Sequence, residues 1–187
     1  MNLERFSQIY GQVSYVQHEI ENLKWLVDKV EELCPHVIIE IGVREGGTLK
    51  FWEQLIGQTC DDLLIGVDIH PKIRWGWESS PKSIKIVQGN SLELDTIGKV
   101  ATLLGSRLAD FLYLDADDSN ILHDFTNYSP FVREGGIVGA HDFNLGTQKH
   151  FPETPPYISN LYSLLKGRKE YDERGKGVMI WYKGGLG

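Results

Sequence analysis

The sequence is poor in cysteine and contains no long apolar run. Only two cysteines, Cys34 and Cys60, occur among 187 residues, and their spacing fits neither a disulfide framework nor a CxxC metal site, so we expect two reduced thiols. No stretch approaches the ~18 consecutive apolar residues of a membrane-spanning helix. The first residues, MNLERFSQIYGQ, also lack the basic and apolar segments of a signal peptide. These absences favour a cytoplasmic location and argue against a membrane partner.

An excess of basic charge is also missing. The chain has 19 lysines and arginines against 26 aspartates and glutamates, for a formal net charge of -7. A broad electropositive surface is therefore not expected, which disfavours nucleic acid as a partner. The apolar and charged fractions, 41% and 24%, are those of an ordinary globular protein. We expect one domain over residues 1–187, with residues 1–34 packing on it as an N-terminal helical segment, and we leave open whether the chain forms a homo-oligomer.

Short apolar segments alternate with helical segments along the chain. After an amphipathic helix that begins near Ile20 and ends at Pro35, strands are predicted at residues 36–41, 63–68, 83–88, 110–115 and 135–142. Helices are predicted between them at 47–56, at 92–104 behind a Ser91 cap, and at 121–131. Strands without strict apolar–polar alternation are typical of a parallel sheet covered by helices on both faces. Right-handed crossovers make this α/β arrangement doubly wound.

The end of the chain breaks the alternation. A helix at residues 157–166 is followed by two candidate strands, at 169–173 and 177–182, joined by the short connection RGKG. Two strands joined so closely favour an antiparallel hairpin.

A glycine-rich turn follows the first predicted strand, in the stretch VIIEIGVREGGTLKFW (residues 37–52). Gly42 lets the chain leave the strand without a Cβ in the way of a ligand, and Gly46 and Gly47 allow close packing at the helix start. A dinucleotide fingerprint would need a further glycine where Arg44 stands. The charge of Glu40 also opposes phosphate groups. The turn therefore disfavours an NAD-dependent oxidoreductase and favours a nucleoside without phosphate that carries a cationic group.

Polar residues end the second and third predicted strands. Asp68, in GVDIH, is placed to accept hydrogen bonds from ribose hydroxyls, as an acid there does in nucleoside sites of this architecture. The alternative is an acid that only caps the next turn. Asn90 and Ser91, in QGNS, offer amide and hydroxyl groups to an adenine edge, or form a plain turn.

Five motifs occur in a fixed order: EIGVREGGT, GVDIH, VQGNS, DFLYLDAD and GGIVGAHD. Together, over roughly residues 20–183, the chain resembles a class I S-adenosylmethionine-dependent methyltransferase. The EIGxxxGGT turn with a later LDxD and GGxxxxHD resembles the small-molecule O-methyltransferase branch that includes cephalosporin-hydroxylase-like and sugar or macrolide methyltransferases. The resemblance implies a seven-stranded Rossmann-like sheet of order 3-2-1-4-5-7-6 with strand 7 antiparallel.

The resemblance also implies roles for the residues that match the motifs. Glu40 and Gly42 would line the methionine part of S-adenosylmethionine, in the turn that Gly46 and Gly47 complete. Asp68 would bind the ribose, and Asp115 would lie beside the sulfonium and the methyl acceptor. The expected cofactor-binding residues are Glu40, Gly42, Gly46, Gly47, Asp68, Asn90, Ser91 and Asp115.

Methyl transfer to a hydroxyl needs alignment of the reactants and removal of the hydroxyl proton. Asp115, His141 and Asp142 end neighbouring strands, so we expect them at one rim of the sheet. Asp115 and Asp142 are candidate Mg²⁺ ligands, since Mg²⁺ prefers oxygen ligands and acidifies bound hydroxyls. Alternatively, His141 is a general base, or the His-Asp pair only caps loops.

One segment departs from the pattern of the relatives. Where they commonly read Asp-Gly-Asp-His, this chain has an alanine at 116 and an acid, Asp118, in place of the histidine. The candidate catalytic residues are therefore Asp115, His141 and Asp118, the last only if its pKa is raised. The departure keeps open a catalytically silent, regulatory nucleoside-binding relative. Trp75 and Trp77, in the loop after Asp68, either cover the cofactor pocket or anchor the loop.

Overall fold

A computed structural model of the chain describes residues 1–13, 18–56, 62–80, 83–144 and 155–185. Cys60 and most of the segment between the fifth strand and the next helix lie outside these ranges. Within them, the helices are α1 Leu3–Gln12, α2 Ile20–Glu31, α3 Gly47–Leu55, α4 Leu94–Leu104, α5 Ile121–Tyr128 and α6 Tyr157–Leu164. The strands are β1 Val37–Ile41, β2 Leu63–Asp68, β3 Ile84–Gln88, β4 Ala109–Leu114, β5 Val132–His141, β6 Lys169–Asp172 and β7 Val178–Tyr182.

The strands form one sheet of order β3-β2-β1-β4-β5-β7-β6. Strands β1 to β5 pair in parallel, whereas β7 is antiparallel to both of its neighbours, β5 and β6. This confirms the predicted strand order, the antiparallel seventh strand and the terminal hairpin. In the centre of the sheet, Glu40 of β1 is paired with Gly66 of β2 on one side and with Tyr113 of β4 on the other.

Helices cover both faces of the sheet, as the doubly wound arrangement predicts. On one face, Leu26 of α2 and Trp52 of α3 pack with Ile38 of β1 in a single apolar cluster. On the other face, Val100 of α4 and other residues of α4, α5 and α6 pack with Ile39. Because adjacent residues of β1 face opposite layers, all five of its residues are buried, which explains its unbroken apolar run.

The N-terminal segment, residues 1–34, contains two helices, α1 and α2. Asn2 caps α1 by accepting a hydrogen bond from the backbone N–H of Arg5 at 2.9 Å. Phe6 is buried against Phe51 of α3, with ring centroids 5.0 Å apart. Phe6 and Ile9, three positions apart, form the buried side of α1.

Several predicted boundaries differ from the structure. The Ser91 cap is wrong, because α4 begins after Glu93 and the side chain of Asn90 instead accepts the N–H of Leu92 at 3.0 Å. The helix predicted at 121–131 ends at Tyr128 and continues as a 3₁₀ turn. Strand β5 begins at Val132 rather than at the glycines, and a register shift in its pairing with β4 accommodates the extra residues. None of the helices that the structure describes is long and apolar enough to cross a membrane.

Candidate active site

A cavity of about 500 Å³ lies at the carboxyl ends of the parallel strands. Strand order reverses between β1 and β4, so the loops after these strands diverge and leave a crevice there. The cavity is lined by the turn after β1, the ends of β2 to β5, the start of α5, and two side chains from distant segments, His18 and Lys176.

The glycines of the turn after β1 have different roles. Gly42 has φ +91°, and a Cβ there would overlap the backbone carbonyl of Asp115, so only glycine lets the ends of β1 and β4 lie so close. Gly42 and Gly47 both line the cavity. Gly46 instead faces the loop after β2, where a Cβ would lie 2.8 Å from Ile73 and 2.9 Å from Trp75. The need for glycine at position 46 therefore comes from packing.

Trp75 anchors the loop after β2 on this turn. Its indole N–H donates to the carbonyl oxygen of Gly46 at 2.8 Å, and the ammonium of Lys50 lies 4.4 Å from the ring centroid. Backbone hydrogen bonds from Lys72 to Arg44 and from Arg74 to Glu45 continue the attachment. Of the two interpretations of Trp75, the structure supports anchoring.

Asp68 lines the cavity and caps the turn at the same time. Its Oδ2 accepts the backbone N–H of Arg44 at 2.6 Å, and its Oδ1 accepts the N–H of His70 at 2.7 Å. Each carboxylate oxygen can accept a second hydrogen bond, so the capping role and ribose binding are compatible.

Glu40 lies beneath the turn and not among the residues that line the cavity. It is fully buried and accepts a hydrogen bond from the hydroxyl of Thr48, which does line the cavity. Burial raises the pKa of Glu40 well above its ordinary value, and repulsion from Asp115 and Asp68 raises it further. The neutral carboxyl is therefore favoured, which weakens the reasoning that Glu40 contributes a negative charge at this place.

The part of the cavity at the end of β3 contains Asn90, Ser91 and a residue that the sequence reasoning missed, Asp124 of α5. Asp124 is 1% exposed, and its Oδ1 has no hydrogen-bond partner within the part of the chain that the structure describes. Burial raises the pKa of Asp124, and the nearby hydroxyl of Ser91 lowers it. An acid on the buried face of an amphipathic helix is a signal that could have identified it.

Asp115 and His141 form a pair at the opposite end of the cavity. Asp115 Oδ1 lies 3.1 Å from His141 Nδ1, and His141 is 3% exposed. Burial alone would raise the pKa of Asp115, but His141 and His18 hold it below its ordinary value. Burial lowers the pKa of His141, whereas Asp115 and Asp142 raise it, and the result lies above the ordinary value. Both shifts favour the ion pair of aspartate with imidazolium.

His18 comes from the segment that precedes α2 and completes this end of the cavity. Its ring stacks on His141, with centroids 3.8 Å apart and planes at 23°, and its Nε2 is hydrogen-bonded to the hydroxyl of Tyr113. Burial, with repulsion from His141, lowers the pKa of His18 to about 3, so its ring is neutral. No local pattern points to His18, since it meets Tyr113 across 95 positions of sequence.

Two further aspartates lie beside the pair. Asp142 has φ +60° and its Oδ1 lies 3.4 Å from His141 Nδ1 and 3.5 Å from Lys176 Nζ, but no hydrogen bond to Oδ1 occurs among the described residues. Burial, with repulsion from Asp142 and Asp115, raises the pKa of Asp118 to about 7. Asp118 therefore has the raised pKa that a role as base requires, although its side chain is not among those that line the cavity.

The donors available to a metal ion differ from the predicted pair. Among the described residues, the group whose ligand atoms lie within 4.8 Å of one another is His18, Asp115 and His141. The two imidazoles of this group are stacked with their planes at 23°, so their lone pairs lie in two nearly parallel planes. Asp142 is not part of the group, although its carboxylate, like that of Asp115, is the type of ligand that a hard cation prefers.

Comparison with known proteins points to one family. The family model described as rhamnosyl O-methyltransferase/CmcI matches residues 12–158, from the end of α1 to the start of α6. A comparison with curated protein sequences finds no match.

Solved structures share the fold at low sequence identity. An O-methyltransferase from Bacillus cereus in complex with S-adenosylhomocysteine (SAH) has a TM-score of 0.69 at 17% identity, covering 97% of this chain and 90% of that one. SAH-bound PaMTH1 from Podospora anserina has a TM-score of 0.70 at 12% identity, covering 97% and 89%. The mycinamycin-pathway enzyme MycE, in complex with Mg, SAH and mycinamycin VI, has a TM-score of 0.68 at 17% identity, covering 100% and 55%. These likenesses support the fold alone.

Proposed function

The chain belongs to the rhamnosyl O-methyltransferase/CmcI family, and from this premise we propose which of its residues hold the cofactor and which carry the reaction. As a member of that family it is an S-adenosylmethionine-dependent O-methyltransferase of small molecules. The observation that carries the proposal is the pairing of Asp115 Oδ1 with His141 Nδ1 at 3.1 Å, in the wall of the cavity that Asp68 and the glycine turn also line.

The cavity suits S-adenosylmethionine at the ends of β1, β2 and β3. Gly42 and Gly47 present backbone without a Cβ, Asp68 retains lone pairs for ribose hydroxyls, and Asn90 and Ser91 lie where the base would be. When bound, S-adenosylmethionine supplies a methyl group on a positively charged sulfur; a hydroxyl oxygen attacks that methyl group in line with the bond to the sulfur, and the sulfur leaves. The preference for a cofactor without phosphates agrees with Arg44 in the turn and disfavours an NAD-dependent oxidoreductase.

His141 is the proposed general base. In the neutral form of His141, which is reached above its raised pKa, Asp115 accepts the Nδ1–H of the ring and the lone pair of Nε2 can accept a proton from the acceptor hydroxyl. Nε2 is buried without a hydrogen-bond partner among the described residues, and stacking on His18 fixes the plane of the ring. Asp118, with a pKa of about 7, is the alternative base. The presence of this pair argues against a catalytically silent relative.

Mg²⁺ is the second means of activating the hydroxyl. Asp115 and Asp142 would hold the ion, since both supply carboxylate oxygens and Oδ1 of Asp142 is buried without a hydrogen-bond partner in the described part of the chain. A bound Mg²⁺ would supply positive charge that holds and acidifies the hydroxyl. Treatment with EDTA separates these two means of activating the hydroxyl. Turnover that stays within about twofold of the untreated enzyme supports His141 as the base, whereas a loss of turnover that added Mg²⁺ restores supports the metal.

The acceptor is proposed to be a small hydroxylated molecule such as a sugar or a natural product. The family description names a rhamnosyl acceptor, and the structure of MycE holds mycinamycin VI. We also propose a cytoplasmic location and no role for nucleic acid as substrate; assembly into a homo-oligomer stays a prediction.

Release of SAH tests the function. The chain is incubated with S-adenosylmethionine and hydroxylated probes, namely methyl rhamnoside and simple phenols, and SAH is measured by mass spectrometry. We expect SAH release with a hydroxylated probe and none with the same probe after complete O-methylation. Failure of the chain to bind SAH in calorimetry would contradict the proposal.

A further inference from the structure

Lys176 is a cation in the wall of the cavity that the proposed reaction does not use. It lies in the short connection between β6 and β7 and is one of the residues that line the cavity. Its side chain is 30% exposed, and its Nζ lies 3.5 Å from Oδ1 of Asp142. That oxygen is buried and accepts no hydrogen bond within the described part of the chain. An ammonium at this distance offsets part of the cost of burying the carboxylate.

The backbone holds Lys176 beside Asp142. The N–H of Asn144, two residues after Asp142, donates to the carbonyl oxygen of Lys176 at 2.7 Å. The same connection is also held by α2, because the side-chain amide of Asn22 donates to the carbonyl oxygen of Arg174 at 3.1 Å. The fold therefore fixes the point from which the lysine side chain enters the cavity wall.

The carboxylates of Asp115 and Asp142 also share a second cationic neighbour. Nδ1 of His141 lies 3.1 Å from Oδ1 of Asp115 and 3.4 Å from Oδ1 of Asp142. One imidazole nitrogen is thus within ion-pair distance of both acids, for which a metal ion would otherwise be the shared partner. Protein cations already accompany the two carboxylates that the sequence predicts as metal ligands.

An Mg²⁺ ion and the ammonium of Lys176 are alternatives for the place beside Asp142. An ion bound to Oδ1 of Asp142 at ~2.1 Å would lie within about 6 Å of Nζ. At that separation a divalent ion and an ammonium repel each other, and partial burial weakens the screening of that repulsion. Binding of the ion would therefore require the ammonium to move away.

We propose that Lys176 takes the place of a divalent ion at this end of the cavity: its ammonium excludes the ion from Asp142 and stabilises the negative charge that develops on the acceptor oxygen. The contribution to the reaction rests on the proposed function, whereas the exclusion of the ion does not. During transfer the hydroxyl proton passes to neutral His141, the oxygen bonds to the methyl carbon, the bond from carbon to sulfur breaks, and SAH leaves. Lys176 itself forms and breaks no covalent bond.

Titration with Mn²⁺, followed by electron paramagnetic resonance, tests the exclusion, since Mn²⁺ is a divalent ion that also takes carboxylate ligands. The wild-type chain should have a Kd for Mn²⁺ above about 1 mM, and Lys176→Met, which removes the charge, should have a Kd at least about tenfold lower. Lys176→Arg keeps the charge and should behave like the wild type. In the double variant Lys176→Met/Asp142→Asn the gain should disappear, because a ligand of the ion is lost.

Lys99→Met is the control for the change in net charge. Lys99 is an exposed residue of α4 that pairs with Asp95 outside the cavity lining, so Mn²⁺ binding should stay at the wild-type level. Turnover in the presence of EDTA is the second readout. Lys176→Met should lower kcat roughly tenfold while its affinity for SAH stays within about twofold of the wild type, and Lys176→Arg should keep most of the kcat. Thermal unfolding shows whether each variant is folded at the temperature of the assay.

The outcomes separate this inference from the proposed function. Mn²⁺ binding by the wild type within about threefold of Lys176→Met overturns the exclusion. Absence of binding by both chains also overturns it, since the ammonium then has no ion to displace. An unchanged kcat in Lys176→Met overturns the contribution to the reaction. The Mn²⁺ titration needs neither cofactor nor acceptor, so a failure of the proposed function, seen as no binding of SAH, is distinguished from a failure of the exclusion.

Discussion

The two ends of the cavity are built in different ways. At the proposed cofactor end, at the ends of β1 to β3, Asp68 accepts hydrogen bonds from the backbone N–H groups of Arg44 and His70, and Gly42 lets two strand ends meet, so backbone geometry makes the site. At the proposed acceptor end, at the ends of β4 and β5, His141 and Lys176 converge with other titratable side chains that come from distant parts of the sequence. This difference suggests that the end with Asp68 sets cofactor affinity and that the end with His141 sets the rate of methyl transfer.

The acceptor end is also where the protonation equilibria are displaced. Asp115 is held below its ordinary pKa, His141 above it, and Asp118 near 7. Displaced pKa values of this kind accompany sites where protons are moved. Four substitutions distinguish the two regions, beginning with the largest effect.

His141→Gln should abolish most of the turnover. With the probe that the wild type methylates, we expect kcat to fall roughly 10³-fold, the usual contribution of a general base. His123→Gln, on the exposed side of α5, is the matched control and should keep wild-type turnover. A His141→Gln enzyme with more than about a tenth of wild-type kcat would remove His141 as the base and leave Asp118 as the candidate.

Gly42→Ala should destabilise the fold at the cofactor end. The new Cβ would overlap the carbonyl of Asp115, and φ +91° is strained for alanine, so we expect a loss of about 3 kcal/mol or more in the free energy of unfolding. Urea denaturation measures it. Gly98→Ala, in the middle of α4 with open space around it, should instead stabilise the chain by about 0.5–1 kcal/mol.

Tyr113→Phe should weaken the acceptor end by a smaller amount. Removal of the hydroxyl leaves His18 Nε2 buried without its partner, for a loss of about 1–2 kcal/mol in the free energy of unfolding. Because His18 stacks on His141, kcat should fall severalfold while the affinity for SAH stays unchanged. Equal stability of the variant and the wild type in urea denaturation would show that this hydrogen bond contributes nothing.

Glu40→Gln should have the smallest effect, and one that depends on pH. The folded-state pKa of Glu40 is raised above its ordinary value of 4.5. The wild type therefore loses stability as pH rises from about 4.5 toward the folded-state pKa, whereas glutamine does not titrate. The free energy of unfolding of the variant should equal that of the wild type near pH 4 and exceed it near pH 8. Glu93→Gln, an exposed residue, is the control; the same pH trend in both variants would contradict a buried neutral Glu40.

What the sequence predicts at each end of the cavity depends on how local the features are in the chain. The buried run of β1 and the Gly42 turn are local in sequence, so periodicity and backbone requirements reveal them directly. His18 and Lys176 reach the site only through packing of the folded chain, and no spacing rule foresees their positions. Asp68 lies between these cases, since its place at a strand end was predictable but its two backbone hydrogen bonds depend on the loop geometry.

Calorimetric titration of SAH into the wild type, Asp68→Asn and His141→Gln tests the separation of the two ends most directly, because it requires no knowledge of the acceptor. Our account predicts that Asp68→Asn weakens binding about tenfold or more, whereas His141→Gln stays within about twofold of the wild type. Equal losses in the two variants, or unchanged binding by Asp68→Asn, would contradict it.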